Sequence, residues 1–377
     1  MNIAFFSNQF AESGGHGIAH YAHRVYDNIC VNYPDINLVP VATWSNRTSE
    51  DIHKFSKETG LVLLPWGRKL TPFAWTFFNA PPIEYWLNES IDITHVVSLG
   101  FPVATKKKLV VTVHDIGPLT HPEYFYDNPW KFKRSFGHMV KYADAIICVS
   151  QATADEVIGY AQDHNIGERI SVVREGVDSD FYQTCNGDVY SSGIDNMPSR
   201  ECPFFFSAGA ISPRKNIRRV LEGFAAIKDN ISHHYILAGG QGWSEGALSE
   251  YINELGLTER VHRIGHVSDE QLCLLYKAAS FYIHPSLFEG FGLTILEAMA
   301  AGCPVITSDI SSLPEVAGDA ALLVNPFSVN DISEAMEQLA LSDRLRRQLI
   351  VKGNENIKRF NWNDTADGIA KVYRSLG

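Results

Sequence analysis

His284-Pro-Ser-Leu-Phe-Glu-Gly-Phe-Gly-Leu-Thr-Ile-Leu-Glu-Ala-Met-Ala-Ala-Gly-Cys-Pro-Val-Ile306 reads as a strand end, a glycine-flanked turn, a helix and the start of a second strand. The helix is expected from about Leu293 to Ala301, with Gly302 just past its end, where a left-handed backbone is common. Gly290 and Gly292 bracket Phe291 and let the backbone come close to a ligand. The first N–H groups of such a helix lack partners within it and favour an anion. Glu289 lies on the loop and Glu297 about one turn inside the helix, so the two carboxylates approach a ligand from different directions. Carboxylates accept hydrogen bonds from sugar hydroxyls. A phosphate at the helix start and hydroxyls at the carboxylates together describe a nucleotide-sugar. Taken alone, the same spacing equally fits an ordinary strand–loop–helix with two solvated glutamates.

Outward from this stretch, short apolar runs alternate with amphipathic helical ones. Strands are expected at 2–7, 37–42, 61–64, 93–98, 109–113, 145–149 and 170–173, and again at 203–208, 234–239, 261–264, 281–284, 304–307 and 321–324. Strands that are apolar throughout belong to parallel sheets covered on both faces. The expected fold class is therefore α/β, with two Rossmann-like, doubly wound domains. The first spans 1–190 and the second 201–360, and 361–377 forms a C-terminal helix that packs back on the first. The polar stretch 183–202 reads as the linker. Two such domains imply a ligand cleft between them, outside the carboxyl ends of the strands.

Bulk properties narrow the partners. The 377-residue chain carries a net charge of −11, and each half is acidic: 16 Lys/Arg against 22 Asp/Glu in residues 1–200, and 16 against 21 in the rest. That balance argues against nucleic acid. Cys30, Cys148, Cys185, Cys202, Cys273 and Cys303 are scattered without a C-x-x-C pair, which argues against a zinc site or a disulfide framework and suits a reducing cytoplasm. A strand beginning at Asn2 leaves no room for a signal peptide, and no apolar run approaches the ~20 residues of a membrane span.

Three further motifs sit where strands give way to loops. Gly209-Ala-Ile-Ser-Pro-Arg-Lys-Asn places Arg214 and Lys215 at the entrance to a helix, where adjacent cations can neutralise a diphosphate. A solvated surface pair would have the same sequence. Ser13-Gly-Gly-His-Gly-Ile-Ala-His falls short of a full dinucleotide fingerprint, but Gly15 and Gly17 would let backbone N–H groups approach a phosphate, or simply make a tight turn. Val111-Thr-Val-His-Asp ends a buried strand at His114, which suits a sugar hydroxyl contact, a general base, or a satisfied structural histidine.

As a set, these motifs resemble those of retaining nucleotide-sugar glycosyltransferases of family four, with the GT-B fold. The paired glutamates match Glu289 and Glu297, the basic pair matches Arg214 and Lys215, the glycine loop matches Gly15 to Gly17, and the histidine matches His114. The resemblance runs along essentially the whole chain. It implies that Glu289 holds the donor sugar's hydroxyls, and that Phe291, Gly292 and Leu293 offer backbone N–H groups to sugar or phosphate. Glu297 would bind the ribose. Arg214 and Lys215 would hold the diphosphate with help from Gly15 and Gly17, and His114 would contact the sugar near its reacting carbon. It implies a retaining hexosyltransferase that needs no metal and no cofactor beyond its donor substrate.

Val113-His-Asp-Ile-Gly-Pro-Leu-Thr-His-Pro-Glu is similar to bacterial mannosyltransferases that use GDP-mannose. A UDP-hexose donor, a nucleotide-sugar epimerase on the same fold and a non-catalytic binding protein remain alternatives. The acceptor would be a saccharide or lipid-linked saccharide of bacterial polysaccharide or lipopolysaccharide assembly. The setting would be the cytoplasm, or the inner face of the cell membrane. Leu70-Thr-Pro-Phe-Ala-Trp-Thr-Phe-Phe, with Arg68, Lys69, Lys106–Lys108, Lys131, Lys133 and Arg134, would suit peripheral contact with an anionic membrane. A core helix with solvated lysines fits the same residues.

Overall fold

The computed structural model of the chain describes residues 1–11, 17–44, 50–100, 102–125, 129–161, 163, 165–240 and 245–377. The chain divides into two compact units. The first comprises Met1–Pro122, Tyr126–Gly176 and Trp362–Gly377; the second comprises Glu123–Phe125 and Val177–Asn361.

The first unit is built on a parallel sheet of seven strands: β1 (Asn2–Phe6), β2 (Asn37–Thr43), β3 (Val62–Leu64), β4 (Ile93–Val96), β5 (Lys108–Val113), β6 (Ala145–Cys148) and β7 (Ile170–Val172). Their order is β3-β2-β1-β4-β5-β6-β7. Alternate side chains of one strand feed two cores, as the two-residue period of a strand requires. Ile3 and Phe5 join Tyr21, Val25 and Ile29 on one face, whereas Ala4 and Phe6 join Trp75, Val111 and Met139 on the other. That double burial is why the strands are apolar throughout.

The helix Trp362–Leu376 completes the first face. Trp362, Ala366, Ile369, Ala370 and Tyr373 belong to the same core as Ile3 and Phe5. A buried polar chain fixes its register. The Tyr373 hydroxyl lies 2.6 Å from His95 Nδ1, and His95 Nε2 lies 2.8 Å from Thr112 Oγ1, linking the helix to β4 and β5. Burial pushes the His95 imidazole down to about 3, so it stays neutral and needs both partners.

The second unit has a six-stranded parallel sheet of β8 (Phe204–Ala208), β9 (His234–Ala238), β10 (Val261–Gly265), β11 (Phe281–His284), β12 (Val305–Ser308) and β13 (Ala321–Val324), ordered β10-β9-β8-β11-β12-β13. In both sheets the order reverses beside the first strand, between β1 and β4 and between β8 and β11. In open α/β sheets such a reversal opens a crevice at the strands' carboxyl ends.

The boundary falls earlier than residue 190, and 183–202 is not a free linker. Val177–Asn361 fold together, with Tyr182 and Val189 buried. Gln271 donates to the Ser192 carbonyl (3.0 Å), Asn196 to the Arg263 carbonyl (3.1 Å), and Lys277 to that of Gln183 (3.0 Å). The segment is held by hydrogen bonds between side chains and backbone carbonyls, and such contacts leave no apolar period to read.

Tyr373→Phe should strand His95 Nδ1 in the core and cost about 1–3 kcal/mol, measured by urea unfolding. An unchanged midpoint would show that this chain of hydrogen bonds does not hold the C-terminal helix.

Candidate functional site

Two loops leave adjacent strands at the reversal of the second sheet. One follows β8, runs through the turn Pro213–Lys215 and enters the helix Ile217–Ile227. The other follows β11 and enters the helix Leu293–Ala300. Asn216 pins them together. It adopts a left-handed backbone at φ 58°, and its buried amide donates to the Pro285 carbonyl at 3.0 Å and the Pro326 carbonyl at 2.7 Å. Leu287 N–H donates to the Arg214 carbonyl (2.8 Å). The close approach of backbones beneath the loops requires glycine at one point: a Cβ on Gly239, at φ 147°, would fall 2.0 Å from the Gly209 oxygen.

These loops bring Arg214, Lys215 and Glu289 into one cluster. Glu289 Oε1 accepts from Lys215 Nζ (2.8 Å) and Ser286 Oγ (2.9 Å), and it lies 2.9 Å from His284 Nε2. Glu289 Oε2 pairs with the Arg214 guanidinium, which also donates to the Phe288 carbonyl at 3.1 Å. Ser311 and Ser312 fix the glutamate's backbone: both hydroxyls donate to its carbonyl, at 2.6 and 2.9 Å. Burial alone would raise the Glu289 carboxyl, but Arg214 and Lys215 outweigh it and hold the group well below the usual carboxylate range. Burial lowers the Lys215 ammonium, opposed by Glu289.

His284 is the member that the sequence did not flag. It sits 3% exposed at the end of β11, and burial followed by the Lys215 charge pushes it down to about 4. The neutral ring satisfies both nitrogens, with Nε2–H donating to Glu289 and Nδ1 accepting from the Tyr282 hydroxyl at 3.1 Å. The signal was available, since a histidine at a strand's carboxyl end is the pattern that singled out His114.

Glu297 lies on the helix that follows, close enough for its charge to act on Lys215. Its carboxylate accepts from the buried Tyr276 hydroxyl at 3.3 Å, and Tyr182 lies close enough that burial, then the Glu297 charge, push that phenol far up. Gly292 caps the helix at φ 116°, and a Cβ there would meet Leu313 Cδ2 at 2.8 Å. Phe291 is buried and Leu293 opens the helix. Arg214 and Lys215 set two positive charges around Glu289 beside a helix start, with the Glu297 charge also acting on Lys215. This arrangement suits an anion.

In the first unit, Gly17 caps the helix Ile18–Asn32 at φ 67°, eleven residues after the end of β1. Gly15 lies outside the described residues. His114 follows β5 with both ring nitrogens engaged. Nδ1 lies 2.9 Å from Glu175 Oε1 and Nε2 3.0 Å from the Val97 carbonyl, and the ring meets Tyr21 edge-on at 4.7 Å. A carbonyl only accepts, so Nε2 carries a proton. With Glu175 turned to the other nitrogen, no ring lone pair is open for general-base work in this arrangement. Glu175, 5% exposed three residues beyond β7, gave no sequence signal of this part. Among the described residues, no group of three or more His, Cys, Asp or Glu could hold a metal ion.

Glu289→Gln should leave two buried cations without their counter-charge and destabilise the chain by roughly 3–5 kcal/mol. Inorganic pyrophosphate should then raise the melting temperature of this variant more than that of wild type; an equal rise would show that the cations do not form an anion site. The pH dependence follows from the same groups. His284 and Glu289 both have depressed folded-state values, so their stabilisation is complete at neutral pH. On acidification the His284 share drains between its ordinary 6.5 and about 4, and the Glu289 share below the ordinary 4.5.

Known proteins resemble the chain in sequence and fold. Residues 196–356 match the family described as Glycosyl transferases group 1, and residues 41–181 match Glycosyltransferase Family 4. The chain is 31% identical over 277 residues to O-antigen chain mannosyltransferase B of Escherichia coli, covering 72% of this chain and 71% of that one. It is 29% identical over 287 residues to O-antigen chain mannosyltransferase RfbU of Salmonella typhimurium, covering 74% of each. The fold matches a sucrose-phosphate synthase from Thermosynechococcus elongatus with a TM-score of 0.78 over 100% of this chain and 98% of that one, at 19% identity. The chain belongs to the family-four, group 1 glycosyltransferases and has their GT-B fold of two parallel-sheet α/β domains.

Proposed function

We propose that this glycosyltransferase is a retaining mannosyltransferase. It would move mannose from GDP-mannose to a saccharide or lipid-linked saccharide in bacterial polysaccharide assembly, in the cytoplasm at the inner face of the cell membrane. The observation that carries the reading is the Arg214–Glu289–Lys215 cluster at the reversal of the second sheet. The names of the E. coli and S. typhimurium relatives support mannose and the polysaccharide setting.

In this reading Arg214 and Lys215 take the diphosphate, and the N–H groups at Phe291, Gly292 and Leu293 face sugar or phosphate. Glu289 accepts from the mannose hydroxyls and Glu297 from the ribose. His114, held by Glu175, contacts the sugar through its ring face or edge, and Gly15 and Gly17 add backbone donors. The bond from the anomeric carbon to the phosphate oxygen breaks while a bond to the acceptor oxygen forms on the same face. The acceptor's proton passes to the departing phosphate. Negative charge grows on that phosphate, where two fixed cations act most strongly. Glu289 already accepts from Lys215, Ser286 and Arg214, which suits a positioning carboxylate rather than a nucleophile. Two side-chain cations supply the charge that a divalent metal would otherwise provide, so no cofactor enters.

Arg214→Ala and Lys215→Ala should each lower turnover on the order of 10²–10³-fold, with folding intact by circular dichroism; near-normal rates in both would reject the diphosphate role. NMR of the product should show the α-anomer, and a β-product would reject retention. GDP-mannose should raise the melting temperature, by about 2.7 kcal/mol of stabilisation at a hundredfold excess over Kd. A response only to UDP-hexoses would replace the donor. Excess EDTA should leave turnover unchanged.

A further inference from the structure

The helix Gly67–Phe78 of the first unit is amphipathic with its large apolar stripe turned outward. Thr71 and Trp75 are buried, whereas Trp66 (45% exposed), Leu70 (64%), Phe73 (54%) and Phe77 (49%) lie in the open. Their spacing, i, i+4, i+7, i+11, is one face of a helix. Phe78 is 71% exposed at its end. The helix Pro129–Tyr142 extends this face: Trp130 is 57% exposed, and Arg134 joins the two helices by stacking its guanidinium 4.0 Å over the Phe77 ring and 5.3 Å from Trp130. The alternative of a core helix does not hold for this stripe.

Charge identifies what covers it. The two helices contain Arg68, Lys69, Lys131, Lys133, Arg134 and Lys141 and no Asp or Glu, in a chain whose net charge is −11. Lys69, Lys131, Lys133 and Lys141 are exposed. A second copy seated on this face by two-fold symmetry would set cations against cations. The helix Gly67–Phe78 is far too short to cross a bilayer, which needs about 20 residues. Exposed aromatic rings with interleaved cations are the composition of a helix lying in the interface of an anionic bilayer, with rings among the acyl chains and ammonium groups at the headgroups.

We propose that the face formed by Leu70, Phe73, Phe77 and Trp130, with Lys69, Lys131, Lys133 and Arg134, docks on the surface of an anionic lipid bilayer. The assignment deepens the proposed function by bringing the enzyme to a lipid-linked acceptor, and its test reads no transfer. The whole chain should co-sediment with vesicles of phosphatidylglycerol and phosphatidylcholine, release as salt rises, and stay in solution with phosphatidylcholine alone. Phe73→Ser with Phe77→Ser should lower the partition on the order of tenfold, and Lys131→Glu with Lys133→Glu should abolish it, each with an unchanged melting temperature. Three outcomes would overturn the proposal: no binding to the anionic vesicles, equal binding to both vesicle types, or wild-type binding by the phenylalanine variant. A concentration-dependent dimer that the phenylalanine variant dissolves, without vesicle binding, would assign the face to a second copy instead.

Discussion

A single carboxylate buried between two cations governs the second unit. Glu289 is desolvated, and isolation there would make it protonate or unfold its loop. Arg214 and Lys215 keep it ionised, and it in turn keeps them in place. The pairing requires the loop after β8 to touch the loop after β11, and only the reversal of strand order makes those strands neighbours. Asn216 and the Ser286, Ser311 and Ser312 hydroxyls then hold the backbones so that little is left to side-chain rotation. The result is a preformed cluster whose charges are already oriented, which lowers the reorganisation that an incoming anion demands.

The sheets were largely legible because each strand is buried on both faces and so carries an unbroken apolar run. Arg214, Lys215 and Glu289 were legible as residue types at strand ends. Their mutual neutralisation was not, since it depends on two loops 74 residues apart meeting in space. Glu175 escaped because burial of a carboxylate after a short strand has no sequence mark. The boundary was misplaced because backbone-directed hydrogen bonds, rather than apolar periodicity, hold 183–202 to the second unit. The Leu70–Phe77 stripe shows a deeper limit. Helical period says which side chains share a face, and says nothing about whether protein or something else covers that face.

The two units divide the work by chemistry. In the second, buried ions and hydroxyls converge on one strand reversal, and the helix Leu293–Ala300 adds its dipole. In the first, His114 is immobilised by Glu175, Val97 and Tyr21, and the most unusual chemistry lies on an exposed helix face. One unit is therefore built around electrostatic precision, the other around a rigid core with an aromatic and cationic outer face.

The helix Trp362–Leu376 has a consequence for the order of synthesis. His95 and Tyr373 are 278 residues apart, and the helix supplies one wall of the core that Ile3 and Phe5 line. A nascent chain has therefore emitted all of the second unit before the first can close. Residues 1–176 wait with part of an apolar sheet face uncovered until Trp362–Leu376 has been made. A loop closure this long is costly in chain entropy, and any cut within Trp362–Leu376 removes part of the core that Ile3 and Phe5 line.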